Sequence, residues 1–326
     1  MHSRRRPPHR GEGGHLINEG GYREAERRLW GSIGVTPTEE RLHLKRNDVT
    51  VRVQEVGAGP AVLFLHGANT SGASWAALAA RLDGFRCVIL DRPGTGLSEP
   101  LGTRLNVGNL SRFAETLVID VLDALGLDSA HLVATSFGGY IALLTAASHP
   151  GRIGRMVQFS WPAGAPNSQT PAFMRVMSLP GLGRLIAALP PSERSVRLTF
   201  RRIGHGDSLD AGRITPEDLG CYLALLRYTD TMRNELAIGR AVVSPFRGLN
   251  RLLLPETTLA RIQTPTYFLW GENDPFGGPE TARRLVSRMP DAELELLPGA
   301  GHAPWLDDLD HVATATARFL SQTSAA

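Results

Sequence analysis

Short, continuous apolar runs that recur between longer segments are the feature that most constrains the fold of this chain. The runs are Ala61 to Leu65 (AVLFL), Cys87 to Leu90 (CVIL), His131 to Ala134 (HLVA) and Thr266 to Trp270 (TYFLW). Strands of a parallel sheet are covered on both faces, and they therefore read as unbroken apolar runs. The pattern predicts a parallel sheet that is buried on both sides.

Segments of helical length separate these runs along the chain. They are Ser74 to Leu82, Leu110 to Leu125, Phe137 to Ser148 and Pro279 to Ser287. Alternation of strands with helices is typical of the α/β class. We therefore predict a doubly wound, mostly parallel sheet whose ligands bind at the carboxyl ends of the strands.

Two regions break this alternation. From Leu42 to Val56, apolar and polar residues alternate around Asn47-Asp48, which predicts a two-stranded hairpin. Residues 161–255 instead contain helical stretches that Pro and Gly separate, which predicts an inserted helical cap. These stretches are Phe173 to Leu189, Glu193 to Ile203 and Glu217 to Leu226.

The patterns divide the 326 residues into four parts. Residues 42–160 and 256–326 are expected to form the α/β core, and residues 161–255 the cap. Residues 21–41 are expected to form an N-terminal helical extension. Residues 1–20 are rich in Arg, Gly, Pro and His without a periodic apolar pattern, so a disordered tail is expected there.

Composition excludes several classes of function. The net charge is +3, but the arginines are spread along the chain and form no basic stripe, so we expect no nucleic-acid partner. No apolar stretch approaches the roughly 20 residues that a membrane span needs, and no signal peptide is recognisable. Cys87 and Cys221 lie far apart and have no metal or redox spacing. A cytoplasmic protein with free thiols and a small-molecule substrate is expected.

The segment from His131 to Thr145 (HLVATSFGGYIALLT) places a serine between an apolar strand and a helix. A side chain held in such a turn is strained and needs small neighbours, which Ala134 and Gly138 provide. The helix directs free N–H groups and its positive end towards Ser136, which favours an anionic intermediate. We predict that Ser136 is a nucleophile; the alternative is that Ser136 only caps the helix.

This segment resembles the nucleophile elbow of the α/β-hydrolase fold superfamily, although Ala134 stands where that family usually has glycine. The segment Leu63 to Trp75 (LFLHGANTSGASW) resembles the family's loop after the third strand. The resemblance implies an oxyanion hole formed by the backbone N–H groups of Ala68 and Phe137. His66 is expected to hold this loop by hydrogen bonding.

The resemblance also supplies an acid and a base. In Leu269 to Phe276 (LWGENDPF), Asp274 matches the family's acid position, and Glu272 is the competing candidate. In Gly299 to Leu306 (GAGHAPWL), His302 matches the catalytic histidine. One histidine among 10 would carry little weight alone, but Ser136, Asp274 and His302 occur in the chain order of this fold.

The chain is thus identified as resembling a serine hydrolase with an inserted cap. The predicted reaction is hydrolysis of a carboxylic ester or lactone of a small, largely apolar substrate through an acyl-enzyme. No metal or nucleotide motif is present, so no metal and no cofactor are expected. The candidate substrate-binding residues are Asn69, Phe173, Met177 and Trp305.

Other functions stay open at this point. C–C hydrolases, thioesterases, cofactor-free haloperoxidases and hydroxynitrile lyases can carry the same triad, and a non-catalytic member could bind a small ligand in the same pocket. Haloalkane dehalogenases and epoxide hydrolases use an aspartate nucleophile, so Ser136 argues against both.

Overall fold

A computed structural model describes residues 18–166, 169–179, 181, 189–244, 246, 248–249 and 252–322. The expected disordered tail lies outside the described residues up to position 17. The first described helix begins at Glu19, within the segment that the sequence assigned to the tail.

One eight-stranded sheet forms the centre of the molecule. Its strands are β1 (Thr38–Leu44), β2 (Val49–Val56), β3 (Ala61–Leu65), β4 (Arg86–Leu90), β5 (Ala130–Thr135), β6 (Ile153–Pro162), β7 (Thr266–Gly271) and β8 (Ala292–Leu297). The order across the sheet is β1-β2-β4-β3-β5-β6-β7-β8. The pairs β1–β2 and β2–β4 are antiparallel, and all other neighbours are parallel. The predicted fold class is therefore confirmed.

The strand β6 was not identified from the sequence. Its interior contains Arg155 and Gln158, which interrupt the kind of apolar run that identified β3, β4, β5 and β7. Both side chains are nevertheless buried. Arg155 Nε donates to the carbonyl of Gln322 at 2.8 Å, so a distant partner makes the buried charge tolerable.

Helices cover both faces of the sheet. They are α1 (Glu19–Ile33), α2 (Ala76–Ala79), α3 (Leu110–Ala124), α4 (Ser136–Ser148), α5 (Ala172–Ser178), α6 (Glu193–Arg202), α7 (Gly206–Asp210), α8 (Pro216–Tyr228), α9 (Thr231–Val242), α10 (Glu256–Leu259), α11 (Pro279–Val286) and α12 (Leu309–Leu320). Buried residues of α3, α4 and α11 pack on one face, whereas those of α1, α2 and α12 pack on the other. This arrangement gives the sheet an apolar layer on each side.

The segment between β6 and β7 contains α5 to α10. The predicted helix from Phe173 ends at Ser178 within the described residues, and most of its predicted second half lies outside them. The helix α9 was not predicted. The division into core, cap and extension stays a prediction.

The helix α1 is fixed to the core by a buried ion pair. Arg52 Nη2 donates to both carboxylate oxygens of Glu26, at 2.9 and 2.7 Å. Arg52 also pairs with Asp91 at 3.2 Å. The helix packs in addition against α8, so α1 contacts both the predicted core and the predicted cap.

Candidate active site

Ser136 lies where β5 ends and α4 begins, at the carboxyl edge of the sheet. Its φ is 55°, a left-handed conformation that a non-glycine residue adopts at a cost of about 1 to 3 kcal/mol. The side chain of the preceding Thr135 makes no capping bond to α4. Strained backbone at the sheet edge is the geometry that the sequence predicted for a nucleophile elbow.

Close packing explains why the elbow needs small residues. A Cβ atom at Gly138 would lie 2.1 Å from the carbonyl oxygen of Leu65, which no side chain could tolerate. A Cβ atom at Gly67 would lie 3.0 Å from the Cβ of Ser136. The loop after β3 therefore lies directly against the serine.

Asp274 and His302, the predicted acid and base, contact each other directly. His302 Nδ1 lies 2.8 Å from Asp274 Oδ2, so the ring donates to the carboxylate through Nδ1. His302 and Ser136 line the same cavity. Asp274 is buried and also accepts from the backbone N–H groups of Trp161 and Phe276, each at 2.9 Å. These donors stabilise the carboxylate and fix its orientation. Glu272, the competing candidate, is exposed.

The expected oxyanion donors flank the serine. Ala68 is in the loop after β3, and Phe137 is the second residue of α4. Among the described residues, no acceptor is bonded to the backbone N–H of Ala68 or of Phe137. Two free N–H groups beside one serine fit an oxyanion hole.

His66 holds the loop that carries Ala68. Burial, together with the nearby Arg92 guanidinium, lowers the pKa of His66 well below its ordinary value, so the ring is neutral. Its Nε2 accepts from the Arg92 backbone N–H at 3.1 Å. The proton is therefore on Nδ1, which donates to the Gly67 carbonyl at 2.8 Å.

A cavity of about 140 Å³ opens over this site. Ser136, His302 and Ala68 line its floor. Its walls come from α1, α6 and α8 and from the loop around Trp305. The described wall residues with large apolar or aromatic side chains are Leu29, Phe200, Ile203, Tyr222, Leu225, Trp305 and Leu306.

The predicted substrate-binding residues do not all line the cavity. Trp305 lines the cavity. Asn69 does not line it; this residue adopts a left-handed turn with φ 58° and donates its backbone N–H to Glu235. Phe173 packs against Phe276 and is also absent from the lining. The side chain of Met177 lies outside the described part of the structure.

Sequence reasoning missed a hydrogen-bonded pair, His205 and Asp307, that supports the loop around His302. We call this pair the His205 brace. His205, after α6, is fully buried, and its Nε2 accepts from the backbone N–H of Ala303 at 3.1 Å. Its Nδ1 donates to Asp307 at 2.9 Å, and Asp307 accepts from the N–H of Gly301 at 2.8 Å. The residues on both sides of His302 are thus held by one His–Asp pair. No motif in the sequence signals this contact.

Backbone contacts reinforce the brace. The N–H of His302 donates to the carbonyl of Ile203 at 2.9 Å. A Cβ atom at Gly204 would lie 2.7 Å from the Cα of Gly301. Ile203 and Gly204 of the predicted cap therefore pack closely against the loop that carries His302, the candidate base.

Within the described residues, none of the helices combines the length and the apolar character needed to cross a bilayer.

Comparison with known proteins agrees with this geometry. A family model described as the alpha/beta hydrolase family matches residues 62–315. The chain is 28% identical over 268 residues to a 2-hydroxy-6-oxononadienedioate/2-hydroxy-6-oxononatrienedioate hydrolase from Burkholderia vietnamiensis, covering 79% of this chain and 86% of that protein. It is 26% identical over 276 residues to a 2-hydroxy-6-oxo-6-phenylhexa-2,4-dienoate hydrolase from Burkholderia cepacia, covering 83% and 91%.

Solved structures show the same fold. The carboxylesterase CesB from Bacillus subtilis superposes with a TM-score of 0.72 at 20% identity, covering 94% of this chain and 99% of that one. A 2-hydroxy-6-oxo-6-phenylhexa-2,4-dienoate hydrolase from a Rhodococcus species also gives a TM-score of 0.72, at 21% identity, covering 88% and 100%. Because the family model spans most of the chain and the solved neighbours share its fold, this protein belongs to the alpha/beta hydrolase family and is a hydrolase.

Proposed function

We propose that this protein hydrolyses a carboxylic ester or lactone with a small, uncharged, largely apolar acyl group, through an acyl-enzyme on Ser136. The observation that carries the proposal is the charge of the cavity. Among the described residues that line it, none is an arginine or a lysine. A substrate carboxylate buried there would have no cation as partner, which is costly.

Asp218 strengthens this argument. It lines the cavity, and its carboxylate accepts from the backbone N–H and the hydroxyl of Thr215. Burial raises the pKa of Asp218, and neither protonation state of a carboxyl group supplies a positive charge to neutralise a substrate carboxylate. The site therefore favours neutral acyl groups over dicarboxylates.

The proposed reaction assigns a role to each of these residues. His302 Nε2 accepts the proton of the Ser136 hydroxyl as the serine oxygen attacks the ester carbonyl. The N–H groups of Ala68 and Phe137 stabilise the oxyanion of the tetrahedral intermediate. The protonated His302 then donates its proton to the leaving alkoxide. Asp274 keeps the ring in the required tautomer and stabilises its positive charge.

The acyl-enzyme is resolved by the reverse use of the same groups. A water molecule gives a proton to His302 and adds to the acyl carbonyl. Collapse of the second tetrahedral intermediate releases the carboxylic acid and returns the proton to Ser136. This sequence uses only groups that the chain itself provides.

A second candidate is hydrolysis of a C–C bond. The relatives at 26–28% identity over about four-fifths of this chain are named as hydrolases of 2-hydroxy-6-oxo dienoates. That likeness is the specific observation that favours the second candidate. The cavity's lack of a described cation favours the ester.

A comparison of kcat/KM on the two kinds of substrate distinguishes the two candidate functions. We expect kcat/KM for short-chain p-nitrophenyl esters to exceed that for 2-hydroxy-6-oxo-6-phenylhexa-2,4-dienoate. Faster cleavage of the dienoate would replace the ester proposal with the C–C hydrolase. A fluorophosphonate probe should label Ser136, and absence of labelling in folded protein would favour a non-catalytic ligand-binding role.

A further inference from the structure

The peptide that joins Gly67 to Ala68 carries one of the two proposed oxyanion donors. Its carbonyl oxygen, that of Gly67, accepts from Arg92 Nη2 at 2.9 Å and from His66 Nδ1 at 2.8 Å. The carbonyl and N–H of a planar trans peptide point in opposite directions. Whatever holds the Gly67 carbonyl therefore also sets the direction of the Ala68 N–H.

Arg92 contacts both of the chain segments that carry the proposed oxyanion donors. Its side chain is 1% exposed, and its Nε also donates to the carbonyl of His66 at 3.1 Å. The guanidinium carbon lies over the ring of Phe137, 4.8 Å from the ring centre. Phe137 carries the second donor. One guanidinium therefore contacts both the loop that carries Ala68 and the residue that follows Ser136.

Glu235 completes this arrangement from α9. Its side chain is 2% exposed, and its Oε1 accepts from Arg92 Nη2 at 2.9 Å. Its Oε2 accepts from the backbone N–H of Asn69 at 3.2 Å. The Glu235 carboxylate thus holds the arginine and the residue after Ala68 at the same time.

A role in stability alone explains this pair poorly. A buried ion pair often contributes no more to folding than apolar side chains of similar size would. The position of this pair, bonded to residues on both sides of Ala68, suggests that it orients the peptide.

We propose that Arg92 and Glu235 are positioning residues that aim the Ala68 N–H at the substrate oxyanion. The inference rests on the proposed function, because it assumes a reaction through an oxyanion at Ser136. It also makes α9 a determinant of the chemical step, although α9 contributes no described residue to the lining of the cavity.

The test is the variant Glu235→Gln. Glutamine keeps the size and can accept from Arg92, but its amide nitrogen cannot accept from the Asn69 N–H. We expect kcat on a p-nitrophenyl ester to fall about tenfold or more, since full loss of one oxyanion donor costs about 10²- to 10³-fold. KM should change less than about twofold, as expected for an interaction made in the transition state. Arg92→Lys should show the same pattern.

Two further measurements separate positioning from simple support of the fold. First, each rate is divided by the number of active sites that a fluorophosphonate labels when the labelling is complete. Unfolded protein is not labelled, so it does not lower the corrected rate. Second, the affinity for a trifluoromethyl ketone, which forms a tetrahedral adduct with the serine, should fall by the same factor as kcat/KM.

Asn234→Ala is the matched control. Asn234 is the neighbouring residue on α9. Its side chain donates to the carbonyl of Gly94, in the turn after Arg92, at 2.8 Å, and makes no described hydrogen bond to the loop that carries Ala68. The rate per labelled site should stay at the wild-type value. An equal loss in Asn234→Ala and Glu235→Gln, or a lower Tm for Glu235→Gln with an unchanged rate per site, would overturn the inference.

The ester assignment can fail separately. If the wild-type enzyme cleaves the dienoate instead of esters, the variants are compared on that substrate, and the same loss of kcat is expected. If the wild-type protein neither turns over a substrate nor reacts with the fluorophosphonate, both the function and the positioning role are wrong.

Discussion

The floor and the walls of the cavity are built in opposite ways. The floor consists of Ser136, Ala68 and His302, each on a loop or turn at the carboxyl edge of the sheet. The walls bring together Leu29 of α1 and Leu225 of α8, which lie far apart in the sequence. The floor depends on backbone geometry, whereas the walls depend on apolar side chains that meet only in the folded chain.

This difference separates the chemical step from the choice of substrate. The backbone that supports the floor is closely packed: a Cβ atom at Gly271 would lie 2.1 Å from the carbonyl oxygen of Gly301, the residue before His302. Apolar walls tolerate changes of shape at a smaller cost. Substitutions on the floor should therefore lower kcat, and substitutions on the walls should mainly change which acyl chain is accepted.

The largest effect is expected for Ser136→Ala. Removal of the hydroxyl removes the acyl-enzyme route, so kcat on p-nitrophenyl esters should fall about 10⁴- to 10⁶-fold. Thermal unfolding should show that Tm is retained. A variant that keeps comparable turnover would show that another residue is the nucleophile.

Asp274→Asn should have the next largest effect. An amide cannot hold His302 in the tautomer that accepts the serine proton, and kcat should fall about 10³- to 10⁴-fold. Glu272→Gln is the matched control, because that side chain is exposed; it should change kcat less than about twofold. The opposite ranking would assign the acid role to Glu272.

A smaller loss of kcat is expected when the His205 brace is removed. His205→Ala leaves the buried Ala303 N–H without its acceptor, which should cost about 1 to 3 kcal/mol of the free energy of unfolding. The looser loop should also lower kcat per labelled site about tenfold, because misplacement of a catalytic group slows the reaction. His311→Ala, on the exposed side of α12, should leave kcat unchanged. Equal kcat in both variants would limit the brace to stability.

The smallest effect is expected on the walls. Leu29→Phe fills part of the cavity, so kcat/KM for an octanoyl ester should fall severalfold relative to an acetyl ester, since one methylene group in an apolar pocket is worth about 1 to 3 kcal/mol. Leu189→Phe, at an exposed position, should leave this ratio unchanged. An unchanged ratio in Leu29→Phe would show that the acyl chain does not reach α1.

The sequence was sufficient for much of the core. Continuous apolar runs predicted β3, β4, β5 and β7, with ends within one residue of the structure. The strand β6 was missed because Arg155 and Gln158 break its apolar run while a tertiary contact neutralises the cost. Periodicity detects burial only where the buried residues are apolar.

The walls show the limit of the same reasoning. Phe173 has helical spacing and was expected to bind substrate, but it packs on Phe276 and does not line the cavity. Leu29 was placed in an N-terminal extension, yet it lines the cavity because α1 packs against α8. Spacing identifies which face of a helix is apolar, but it does not identify what that face contacts.

By itself, the sequence determined the α/β class and the strand–serine–helix turn, together with the chain order of the candidate nucleophile, acid and base. These features follow from local rules for strands, turns and helix starts. Only the tertiary structure decided the lining of the cavity, the His205 brace and the contact of Arg92 with Glu235. The last pair is 143 residues apart, and no local pattern couples two side chains at that separation. Their pairing is fixed by how the helices pack on the sheet, which is a property of the whole fold.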